Sequence, residues 1–108
     1  MIYELRVYDA APDKLGKLSD RFKDHTMKLF EKHGMKSIGY WTGGGDGGGN
    51  QLTYMLAFED ADDMKKKWAS FREDPDWLAV RRETESEGSL VEKFTSTVLL
   101  PTEYSPMR

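Results

Sequence analysis

Strand character occurs four times in this chain, and helical periodicity appears only after the first and third of those segments. In residues 2–8 the side chains alternate. Tyr3, Leu5 and Val7 make an apolar face, and Ile2, Glu4, Arg6 and Tyr8 a mixed one. Residues 35–42, 51–58 and 90–100 carry the same signal, the last rich in Val, Thr and Phe. After the first strand, Pro12 and Asp13 suit the opening turn of a helix. Leu15, Leu18, Phe22, His25, Thr26 and Leu29 then recur at helical spacing, while Lys14, Lys17, Arg21, Asp24 and Lys28 fall largely off that stripe. His33 and Gly34 close the helix, Gly34 as a left-handed cap. The acids of EDADDM open a second helix whose stripe is Ala61, Met64, Trp68 and Phe71. REDPDW breaks it and restarts it, with Asp74 as N-cap and Pro75 in the first position. Trp77, Val80, Arg81 and Thr84 share the next face, and Gly88 ends the helix.

The order β-α-β-β-α-β predicts an α+β, ferredoxin-like single domain over residues 1–108, an antiparallel four-stranded sheet with its helices on one side. Large apolar side chains (Ile38, Tyr40, Met55, Leu90, Phe94, Val98) stand at both strand parities, yet the helices can cover only one face. A sheet left bare would expose apolar surface on the order of several hundred Å², the scale at which a partner is expected. The simplest partner is a second copy, sheet against sheet, giving a homodimer. With 38% hydrophobic and 32% charged residues in 108, the core is thin and burial against a partner would help it. The competing reading is that Glu4, Arg6, Lys36, Glu92 and Lys93 keep that face wet.

The run Gly43–Gly49, GGGDGGG, invites a phosphate-binding reading. A Walker loop needs Lys and a hydroxyl residue after its last glycine and a helix to follow. Here Asn50, Gln51 and Leu52 lead into a strand, so no helix N-terminus is available. The run is read as a strand connection, and residues 44–49 are expected to be mobile because glycine backbone is costly to order.

Net charge is −3, with no basic excess to recruit nucleic acid. Cysteine is absent, which excludes disulfides, thiolate zinc sites and cysteine nucleophiles. Two histidines without ligand spacing do not argue for a metal, and no cofactor is expected. No apolar run is long enough to span a bilayer, and the N-terminus carries charges where a secretory signal needs an apolar stretch. The chain is therefore read as complete from Met1, soluble and cytoplasmic.

The candidate ligand-binding residues are Arg6, His25, Tyr40, Tyr54, Trp68 and Arg81. His25 falls on the first helix's apolar stripe and is expected to face the sheet. There it is a packed histidine with satisfied hydrogen bonds, or else a base, an acid or a haem ligand, roles open to imidazole side chains in general. Arg6 and Arg81 can hold a carboxylate, or can pair internally with Glu4, Glu83 or Glu92. The aromatic residues are core, or some of them line an apolar pocket between sheet and helices.

IYELRVYDAAPDKLGKL, LFEKHGMKSIGYW, DPDWLAVRRE and LLPTEYSP together resemble the NIPSNAP family over nearly the whole chain. Tyr3, Glu4, Leu5, Arg6, Tyr8, His33, Gly34, Trp41, Asp74, Pro75 and Trp77 match its pattern. The resemblance implies a dimeric α+β barrel, in which two sheets meet face to face. It also implies a family linked in animals to vesicle trafficking and mitochondrial quality control, with no established catalytic motif to carry over. Three functions are then open. One is a homodimer binding a small, partly apolar ligand in a cleft between sheet and helices. Another is a cofactor-independent monooxygenase or haem-handling enzyme using His25, and the last is a purely structural interaction domain.

Overall fold

A computed structural model describes residues 1–43 and 49–108. Residues 44–48 of the glycine run, and the mobility expected of them, lie outside the described residues. The elements follow in the order β1 (Ile2–Ala10), α1 (Leu15–Arg21), a π-helical stretch (Phe22–Thr26), α2 (Met27–Lys32), β2 (Lys36–Thr42), β3 (Gln51–Phe58), α3 (Ala61–Glu73), α4 (Pro75–Thr84) and β4 (Val91–Leu99). The four strands form one antiparallel sheet in the order β2-β3-β1-β4. This is the ferredoxin-like α+β arrangement that the element order predicts.

Register decides which parity of each strand meets the helices. Arg6 lies opposite Tyr54 on β3 and Ser96 on β4, and Tyr8 opposite Leu52 and Phe94. The mixed face of β1 is thus the inner one. Tyr54, Leu56, Phe58 and Leu52 pack there with Leu18, Phe22, Phe30, Trp68 and Phe71 to form the core. Tyr3, Leu5 and Val7 lie on the helix-free face with Thr53, Met55 and Ala57. Tyr3 and Ala57 are buried there, the others half-buried, and Trp41 and Leu99 exposed. Phe94 and Val98 share the inner parity but remain exposed, because the helices sit over β2 and β3 while β4 is the outer strand beyond β1.

Two sequence expectations change. Pro12 and Asp13 do not open the first helix. Asp13 has φ of 62°, outside helical backbone, so they form a turn and Leu15 begins α1. Of the two neighbouring residues expected on the stripe, Thr26 is buried but His25 does not face the sheet and is exposed. The cause is the π-helical stretch, where Met27 N–H donates to the Phe22 carbonyl five residues back and Thr26 Oγ1 donates to the Arg21 carbonyl. The wider turn advances each residue through a smaller angle. Four steps from Phe22, rather than three, then bring the chain back to the apolar stripe.

The caps expected at Gly34 and Asp74 form, whereas α4 ends at Thr84 with Glu85 as its C-cap, three residues before the Gly88 expected to end it. Gly34 has φ of 71°, and the Met35 and Gly34 amides return to the carbonyls of Phe30 and Glu31, closing α2. Asp74 caps α4 by accepting from the Asp76 amide at 2.8 Å. Its Oδ2 also accepts from Lys32 Nζ at 2.8 Å and meets His33 Nε2 at 2.7 Å, which ties the end of α2 to the α3–α4 break. Lys32 and then His33 hold the Asp74 carboxyl well below the usual carboxylate range.

Candidate functional site

Between the uncovered inner face of β4 and helices α3 and α4 runs a cleft of about 430 Å³. Its floor comes from β1 and β4, through Arg6, Tyr8, Val91 and Phe94. Its far wall comes from α3 and α4, through Trp68, Arg72, Trp77 and Arg81. On α3, Trp68 and Arg72 are one helical turn apart, so both can reach the same opening. The volume is in the range that holds a small organic molecule.

At the base of the cleft lies a buried ion pair. Arg6 Nη1 donates to Glu4 Oε2 at 2.8 Å, and both side chains are more than nine-tenths buried. The Glu4 carboxylate also accepts from Ser96 Oγ at 2.5 Å and from the Trp68 indole N–H at 2.6 Å, so three donors compensate its charge. The Arg6 guanidinium is held between two rings, its Cζ 4.3 Å from the Trp68 centroid and 4.6 Å from that of Phe94. Its Nε donates to the Tyr8 hydroxyl at 3.3 Å. Burial opposes the arginine's charge, but the Tyr54 and Tyr8 phenols and the Glu4 carboxylate outweigh it, and the pKa is raised further. Arg6 is a permanent cation here.

Behind this layer the Tyr8 and Tyr54 hydroxyls meet at 2.8 Å. Burial, with Tyr8 adding to it, pushes the Tyr54 phenol well above its ordinary range, so it stays protonated at neutral pH. Arg21 closes one end of the cleft. Its Nη1 donates to Glu85 Oε2 at 3.0 Å and to Thr84 Oγ1 at 3.3 Å.

The structure brings together three of the six residues expected from sequence: Arg6, Trp68 and Arg81 all line the cleft. Of the three acids considered as partners for the arginines, Arg6 takes Glu4, whereas Arg81 pairs with Glu85, which was not among them, at 3.2 Å. Tyr54 lies beneath the cleft and reaches it only through Tyr8. Tyr40 lies farther off on β2, stacked on Tyr54 with centroids 5.6 Å apart and hydrogen-bonded to Ser37. His25 stands apart, lining a separate opening of about 350 Å³ with Lys14, Lys17 and Asp20; Arg21 borders both spaces. Sequence reasoning passed over Tyr8, Arg72, Phe94 and Ser96 as site residues. Glu4, Arg6 and Tyr8 shared one strand parity, a readable signal, but Phe94 and Ser96 join them only through the β1–β4 register.

The same residues that shape this cleft, Glu4, Arg6, Tyr8 and Trp77, belong to the segments that carried the resemblance. Compared with family models, residues 3–106 match that of NIPSNAP. The chain belongs to the NIPSNAP family. Solved structures similar to this NIPSNAP chain include an uncharacterised NIPSNAP-like domain protein from Burkholderia xenovorans. It is 25% identical, with 97% of this chain and 88% of that one covered and a TM-score of 0.84. A NIPSNAP family protein from Agrobacterium tumefaciens is 24% identical over 99% of this chain and 98% of its own, with a TM-score of 0.86. A putative antibiotic biosynthesis monooxygenase from Nitrosomonas europaea shares the fold at 12% identity, covering 96% and 100%, with a TM-score of 0.64. No curated protein matches the chain. Among the described residues, no helix is long and apolar enough to cross a membrane.

Proposed function

We propose that this NIPSNAP domain is a binding module. It works in the cytoplasm as a homodimer joined through its helix-free sheet faces, and each subunit takes a small, partly apolar molecule into the cleft between β4 and helices α3 and α4. The observation that carries the ligand reading is Phe94. It is a large aromatic side chain on the inner parity of the sheet, yet 54% exposed, and it floors a cleft that also presents Trp77 and the Arg6–Trp68 stack. Apolar surface turned inward and left open gains stability from an occupant. The enzymatic alternative leaned on His25, whose side chain lies outside this cleft, so binding without turnover is preferred. The dimer is supported by the half-buried strip of Leu5, Val7 and Met55 with exposed Trp41 and Leu99 on the helix-free face.

Both halves are open to test. A thermal-shift screen of amphipathic metabolites is expected to raise the Tm of the wild-type protein and to raise that of Phe94→Ala much less, since a ligand preferring the folded state must stabilise it. Equal shifts in both proteins would place binding elsewhere. Sedimentation at micromolar concentration is expected to give a dimer, and Met55→Lys a monomer. A wild-type monomer would end the sheet-to-sheet reading.

A further inference from the structure

The charge lining the cleft is opposite to that of the chain. The protein carries a net charge of −3. Yet the cleft is lined by five cations, Arg6, Arg21, Arg72, Arg81 and Lys93, and by two carboxylates, Glu85 and Glu92. Two further acids engage these cations from behind, Glu4 on Arg6 and Asp9 on Lys93. Among the described residues, five positive charges therefore face four negative ones, an excess of one. Arg21 and Arg81 share Glu85, Arg6 has Glu4, and Lys93 approaches Asp9 at 3.9 Å. Arg72 alone makes no ion pair among the described residues. Its guanidinium carbon lies 5.6 Å from the Trp68 ring centroid, against the indole that also carries Arg6. Arg6 commits Nε and Nη1 within the chain, and its Nη2 makes no hydrogen bond among the described residues. Two guanidinium groups thus meet at one indole at the cleft, with donors to spare.

We propose that the cleft recognises a small aromatic monocarboxylate, its carboxylate held by Arg72 and Arg6 Nη2 and its ring against Phe94 and Trp77. This rests on the cleft reading above and names the ligand class for it. A planar guanidinium presents paired N–H donors that match a carboxylate. One net positive charge suits a monoanion better than a phosphate dianion, whose second charge would go unmatched in a partly desolvated site. The exposed Phe94 ring and Trp77 offer faces for a flat apolar group, where offset or edge contacts between rings are favourable.

The probes are 2-naphthoate and 2-naphthamide, which share a ring system and differ in the charge of the head group, titrated calorimetrically into the wild-type protein. Naphthoate is expected to bind at least tenfold more tightly. Arg72→Gln, a change at an exposed position, is expected to erase most of that ratio by weakening naphthoate far more than naphthamide. Phe94→Ala is expected to weaken both probes. Equal wild-type affinities that both fall in Phe94→Ala would overturn the carboxylate assignment and leave the cleft reading standing. Tighter naphthoate binding untouched by Arg72→Gln would also overturn it, by placing the anion elsewhere. Binding of neither probe would remove both readings.

Discussion

Replacing Arg6 by Met should be among the most damaging single changes to this fold, and a second change at Glu4 should repair part of the damage. Arg6→Met leaves the Glu4 carboxylate buried with Ser96 and Trp68 as its remaining donors. At 2.8 Å and an effective dielectric constant of about 20, the lost attraction is roughly 6 kcal/mol gross. Arg6 no longer needs desolvating in the variant, so the net cost falls to the ~3–5 kcal/mol typical of breaking a buried pair from one side. A domain of this size holds about 5–15 kcal/mol in all. With a urea m-value of about 2 kcal/mol per M, the unfolding midpoint should fall by about 2 M at unchanged m. Glu4→Gln alone should destabilise the wild-type protein, because Arg6 is left buried without its counter-charge. In the Arg6→Met background the same Glu4→Gln should stabilise by about 1–3 kcal/mol, since a neutral amide still accepts from Trp68 and leaves no unpaired charge. Urea titrations of the four proteins make the test. A cost under about 1 kcal/mol for Arg6→Met, or the same sign for Glu4→Gln in both backgrounds, would refute a buried ion pair at this site.

Other outcomes follow from single contacts. Because the folded Asp74 carboxyl titrates below its unfolded value, the stability it contributes is present above the ordinary aspartate range and is lost as pH falls through the folded pKa. Asp74→Asn should therefore lower Tm at pH 7 and do so progressively less as the pH is taken from about 4 downward, an ordinary Asp titrating near 3.9; a Tm deficit independent of pH would contradict this. Gly34→Ala places a side chain at φ of 71° and should cost about 1–2 kcal/mol in denaturant unfolding. A neutral result would mean the α2 terminus rearranges. At Gly39 an added Cβ would come within 2.7 Å of the Trp41 ring, which must swing off the helix-free face. Acrylamide quenching of tryptophan emission should rise in Gly39→Ala, and an unchanged quenching curve would show that the ring does not rest there.

Much of the fold could be read from local signals. The break at Asp74–Pro75 and the stop at Gly34 were legible because each is set within a few residues, by a side chain that caps and a backbone angle that glycine tolerates. The π-helical stretch was not legible. His25 and Thr26 both fit the stripe of an unbroken helix, and only packing against the sheet favoured Thr26 over His25 as the inward residue. The candidate site divided along the same line. Arg6 and Trp68 stood out by residue type and periodicity, but Phe94 and Ser96 joined them through strand pairing across more than eighty residues of chain.

The order of strands and helices, the caps at Gly34 and Asp74, and the presence of apolar side chains on both sheet faces belong to the sequence alone, because propensity, periodicity and turn chemistry act over neighbouring residues. Which face the helices cover, and which inward side chains stay open beside β4, were decided only by the tertiary structure. A one-residue change of register would carry Glu4, Arg6 and Tyr8 to the opposite face, and pairing between distant strands is what selects among such registers.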